Sequence, residues 1–155
     1  MNRGLIVTLA LAATALAPAP TLAQQVDWNM AKAAFDAGVA DTDHPDDRDK
    51  RIGCAAFWSA WNNAANAGRV PADAGTRVSS LLVAPDSNIM ALGWLMASLE
   101  PGAGEDQEAV ETAVMAQLQE LEPFAALAVS NALAGDGPSL TDVMRLLGVC
   151  QTFPE

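Results

Sequence analysis

The stretch that most constrains this chain is Arg51-Ile52-Gly53-Cys54-Ala55-Ala56-Phe57-Trp58-Ser59-Ala60-Trp61. A helix turns by roughly 100° per residue. On that spacing Cys54, Phe57, Trp58, Trp61 and Ala65 share one face, and Arg48, Arg51, Ser59, Asn62 and Asn66 form the opposite stripe. The pattern is that of an amphipathic helix. His44-Pro45-Asp46-Asp47 marks its start, with proline at the first helical position and carboxylates at the positive helix end. Asn66-Ala67-Gly68 marks its stop, because glycine accepts the left-handed cap. Gly53, Ala60 and Ala64 beside the aromatic face suit a closely packed neighbouring helix.

The rest of the chain reads as helices joined by turns. Asp27 caps a first helix over 27–39, with Trp28, Ala31, Phe35 and Val39 at helical spacing. A short helix over 70–82 is weakened by Gly75. Asp86 or Ser87 caps the next segment. Its core, Ile89 to Leu99, is apolar around nearly its whole circumference. It is too short to span a membrane and reads as a buried helix. A helix over 105–121 carries Val110, Val114, Leu118 and Leu121 on its apolar stripe, with Gln117 among them. Glu122-Pro123 then breaks or kinks the run, and 124–134 continues as a further helix. Ser139-Leu140-Thr141-Asp142 resembles a capping box for a last helix ending at Cys150. No strand alternation is present. The expected fold is all-α: a compact bundle of about five to seven helices with one disulfide, forming a single domain over 24–155.

The expected destination is outside the cytoplasm. Residues 1–23 combine a basic head at Arg3, an uncharged apolar run from Leu5 to Ala17, and a small-x-small site at Thr21-Leu22-Ala23. This is the pattern of a secretory signal peptide cleaved near Ala23, giving a periplasmic or secreted product with no membrane span. In such a compartment the two cysteines, Cys54 and Cys150, are expected to pair. No C-x-x-C motif suggests thiol chemistry.

Charge narrows the partners. The chain has nineteen Asp and Glu against eight Lys and Arg, for a net charge of −11. An acidic exported protein is a poor ligand for nucleic acid or anionic membranes. A protein partner is expected, with a basic one as the sharper option. The carboxylates of 41–49 raise the question of calcium. Asp41 and Asp43 have the alternate spacing of an EF-hand loop, and Asp46, Asp47 and Asp49 follow. Pro45, however, stands where a ligand is needed, and no glycine supplies the turn. A solvated loop and helix cap is the plainer reading.

Catalytic and cofactor signatures are absent from the sequence. His44 is the single histidine, so a zinc site or a Ser–His–Asp relay has little to draw on. Haem attachment would need C-x-x-C-H. The expectation is therefore a non-enzymatic protein without a cofactor, working as an adaptor, inhibitor or immunity-type protein. Two other functions fit the same fold. One is a carrier or sensor of small apolar ligands, with a pocket or binding surface at Trp58, Trp61, Trp94 and Gln117. The other is an acid-stress chaperone loosened when its carboxylates protonate.

Overall fold

The computed structural model describes residues 25–42 and 44–153. The expected signal peptide therefore lies outside the described residues. Six α-helices and one 3-10 turn are present, with no strand among the described residues: α1 Trp28–Val39, α2 Arg48–Asn66, α3 Ala74–Arg77, α4 Asp86–Ser98, α5 Gln107–Leu133 and α6 Gly137–Val149, with the 3-10 turn at Ser80–Leu82 between α3 and α4. The fold is a compact helical bundle with one disulfide, as the sequence suggested.

Side-chain caps set most of the helix starts. The Asp27 carboxylate accepts from the Asn29 and Met30 amides, Asp47 from Lys50, and Asp106 from Ala109. Each satisfies a backbone donor that the helix itself leaves unpaired. Two expected starts move. Pro45 lies ahead of α2 rather than at its first position, because Asp47 takes the cap. The capping residue of α6 is Asp136, which accepts from Ser139, so the helix begins before the Ser139–Asp142 box. Gly68 does close α2, at a φ of 70°.

The helix α2 is the centre of the bundle. α4 and α5 both pack along it, and α6 reaches it while lying mainly against α1 and α5. Helices on several sides bury more than the aromatic face. Ile52, Ala55, Ala56 and Ala64 are buried, and so is Asn62, which the helical wheel placed on the polar stripe. Asn62 is held by polar partners: its amide donates to Asn88 and its carbonyl oxygen accepts from Ser87, both on α4. Gly53, expected at a close helix contact, has open space where a Cβ would sit.

A close helix approach lies elsewhere. A Cβ on Gly38 of α1 would stand 2.0 Å from the Arg145 carbonyl oxygen, and one on Gly148 of α6 would stand 2.2 Å from that of Phe35. The two backbones therefore touch through glycine, which side chains elsewhere on the helices prevent.

Pro123 does not end a helix. α5 runs unbroken through it for 27 residues, about 40 Å at the usual rise. Val110, Val114 and Leu118 before the proline, and Ala125, Val129 and Ala132 after it, are buried along one side. That continuous packing outweighs the single backbone bond the proline removes. Between α2 and α4 the expected helix over 70–82 is divided into α3 and the 3-10 turn, with Val78 ending α3.

Candidate functional site

Both cysteines and two of the tryptophans singled out by the sequence, Trp58 and Trp94, meet at one point, the C-terminal end of α6. Cys54 and Cys150 are joined, with Cα atoms 5.6 Å apart at a sequence separation of 96. Cys150 is also the residue that ends α6, where backbone carbonyls lack helical donors. Its carbonyl oxygen accepts from two indoles: Trp58 Nε1–H at 3.0 Å and Trp94 Nε1–H at 2.7 Å. Trp61 Nε1–H donates to the Leu82 carbonyl at 2.9 Å. All three tryptophans are fully buried. Among the described residues no buried side-chain nitrogen or oxygen lacks a partner. These three tryptophans thus tie α2, α4 and the end of α6 together, with each of their indole N–H groups used inside the fold. Gln117 lies on α5, half-buried and apart from this hub.

The acidic connection ahead of α2 is committed to structural contacts. Asp41 pairs with Arg145 of α6 at 2.7 Å, Asp46 with Lys50 at 3.2 Å, and Asp47 caps α2. The pairing with Lys50 holds the Asp46 carboxyl below its usual range. Asp49 sits exposed in the first turn of α2, and Asp43 lies outside the described residues. Among the described residues no group of three His, Cys, Asp or Glu is gathered to hold a metal ion.

A second polar junction joins α2 to the loop between α4 and α5. Arg48 donates to both oxygens of Glu105 and to the Glu100 carbonyl, while Glu105 also accepts from the Gly102 amide. The Arg48 hydrogen bond, followed by the Gly102 amide, lowers the Glu105 pKa to about 2 from its ordinary 4.5. A carboxyl whose pKa is lowered by folding stabilises the fold above its unfolded pKa and loses that effect as pH falls through the folded one. Replacing Glu105 with Gln is therefore expected to weaken the protein at neutral pH. The gap from wild type should close between pH 4.5 and pH 2 in urea titrations at stepped pH. A gap unchanged at pH 2 would show that the pair does not act through ionisation.

A cavity of about 900 Å³ is lined by Trp28 together with Val26, Asp27, Pro71, Asp73 and Arg77; two others, beside α2, have no tryptophan on their walls. One of about 260 Å³ is lined by the disulfide, Pro45, Gly53, Leu146 and Val149, with Asp41 and Lys50 also on its wall. Another of about 330 Å³ is a cleft between α2 and α5, lined by Ala56, Ser59, Ala60, Asn63, Glu122, Pro123 and Ala126.

The surface is more informative. α4 was expected to be buried, but it hides only Ser87, Met90, Trp94 and Ser98. Ile89, Leu92 and Met96 point outward, 57%, 54% and 65% exposed. They follow one another at three and four residues, the spacing of a helix-pairing seam. Half-buried Leu95 and Leu99 extend the same side. At its edge the Phe153 ring covers Gly93 and stacks obliquely on Trp94, with ring centroids 5.2 Å apart. From Ser87 to Leu99 there is no charged residue. On α5 a smaller pair, Phe124 and Leu127, is exposed between Glu120 and Asn131. Along the chain, residues 78–144 hold ten carboxylates and no Lys, Arg or His; from α2, Arg48 reaches the Glu100 carbonyl and Arg51 the Ala97 carbonyl at the C-terminal end of α4.

No helix among the described residues is long and apolar enough to cross a membrane. Comparisons with protein-family models, curated proteins and solved structures found no match to this chain.

Proposed function

We propose that this chain is an exported helical protein that works by binding another protein, as an adaptor, inhibitor or immunity-type protein. The observation that carries this reading is α4, a helix without a charged residue from Ser87 to Leu99 whose outer row of Ile89, Leu92 and Met96 faces solvent. Helices that are apolar all round are ordinarily covered, and contiguous exposed apolar faces mark interaction sites. The disulfide suits an oxidising compartment, and the surrounding carboxylates keep the protein soluble while its binding face stays bare. Capture with the tagged chain from Gln24 onward, in the periplasm of its own host, tests the reading. One stoichiometric partner is expected. A chain that stays monodisperse and binds nothing there would refute it.

A second reading, a carrier or sensor of small apolar ligands, has its own support in the mostly apolar lining of the disulfide-lined cavity, whose volume of about 260 Å³ restricts it to ligands smaller than those of ordinary binding pockets. It requires tryptophan emission to shift on titration with small apolar compounds, since the Cys150 carbonyl on that wall takes the Trp58 and Trp94 hydrogen bonds. A flat titration removes it.

A further inference from the structure

Resting on the protein-binding reading, we infer that the outer face of α4 receives an amphipathic helix of the partner whose apolar row is flanked by Lys or Arg. Three observations select this occupant.

The first is spacing. Ile89, Leu92 and Met96 form a seam two turns long, which matches the row of an opposing helix better than the alternating pockets a strand would need.

The second is what bounds the seam. Asp86 stands at its start and Glu100 just past its end, and α4 itself carries no cationic side chain; the two guanidinium groups that reach its C-terminal end from α2 are engaged there, Arg48 with Glu105 and the Glu100 carbonyl and Arg51 with the Ala97 carbonyl. Opposite charge on the partner would set the register and speed encounter.

The third is what those ends exclude. Two copies of α4 packed antiparallel would bring Asp86 of one to Glu100 of the other. Packed parallel they would pair Asp86 with Asp86 and Glu100 with Glu100. Either arrangement opposes carboxylates, so a second copy is disfavoured. A membrane surface is disfavoured too, because interfacial helices carry Lys and Arg on their own polar side and α4 has neither.

The test uses a two-heptad helical peptide built only of leucine and lysine, titrated against the chain from Gln24 onward. Wild type is expected to bind it, more weakly as salt rises. Leu92→Ser combined with Met96→Ser should weaken binding by roughly tenfold or more, since two apolar side chains lose their cover. Both residues are exposed, so circular dichroism and melting temperature should be unchanged. Phe124→Ser should bind as wild type does.

The inference is overturned if the peptide does not bind, if the double variant binds equally well, or if a leucine–glutamate peptide binds as tightly. It is also overturned if Phe124→Ser alone abolishes binding. A wild-type dimer that the double variant dissolves would assign the face to a second copy, and double-variant-sensitive binding to neutral phosphatidylcholine vesicles would assign it to a membrane. Repeating the periplasmic capture with the double variant separates the two claims. A partner retained by the variant sinks the α4 assignment and leaves protein binding standing. A wild type that captures nothing sinks protein binding itself.

Discussion

Gly148→Ala is expected to lower stability by at least about 3 kcal/mol, at or beyond the upper end of ordinary overpacking. The added Cβ would sit 2.2 Å from the Phe35 carbonyl oxygen and 3.1 Å from the Gly38 Cα. Both obstacles are backbone, so no rotamer change relieves the clash, and α1 must move off α6. Gly38→Ala should behave alike, since its Cβ would meet the Arg145 carbonyl oxygen at 2.0 Å. Domains of this size are stable by only about 5–15 kcal/mol, and the melting temperature should fall by roughly 10 °C or more. Gly53→Ala supplies the control. It too lies within a helix, but nothing stands within 4 Å of its Cβ. There the better helix propensity of alanine should raise stability by up to about 1 kcal/mol. Thermal melts of the three variants decide it: equal effects at Gly53 and Gly148 would mean that the α1–α6 contact is looser than described.

Replacing both cysteines with serine should be the second large loss, about 3–5 kcal/mol. The bond closes a loop of 96 residues, and chain entropy alone assigns about 4.7 kcal/mol to a loop near 100. It also anchors the residue on which Trp58 and Trp94 converge, so the loss should appear in tryptophan emission as well as in the urea midpoint. Both cysteines are buried. Reductant should therefore cleave the bond of the native protein only as fast as the hub opens, and much faster once urea unfolds it. A serine variant with an unchanged midpoint would show that the indole hydrogen bonds hold α6 without the disulfide.

How much was legible in the sequence depends on whether a feature was local. Asp27 and Gly68 bound their helices through bonds to near neighbours, and spacing was enough to read α1 and the body of α2, whose start moved from Pro45 to the Asp47 cap. The Cys54–Cys150 pair followed because two cysteines allow one intramolecular bond. Pro123 misled because the local rule holds for an isolated helix, whereas the packing of α5 depends on residues far away in sequence. Asn62 misled because a helical wheel assumes one buried side and α2 is covered on several. The Gly38–Gly148 contact left no local mark, since either glycine alone reads as a mild helix weakness. The candidate site was hidden differently. α4 looked like a core helix because composition cannot say which side is covered. The lack of cations between 78 and 144 is visible in the sequence, whereas the approach of Arg48 and Arg51 to the end of α4 from α2 is set by the fold.

The most direct test of the α4 assignment is photo-crosslinking in the host periplasm, with the reactive side chain placed at Leu92 in one variant and at exposed Lys32 of α1 in another. The expected result is one crosslinked protein from position 92 and none from position 32, with the attached peptide mapping to a basic amphipathic helix. Equal labelling from both positions, or none from position 92 while capture still yields a partner, would contradict it.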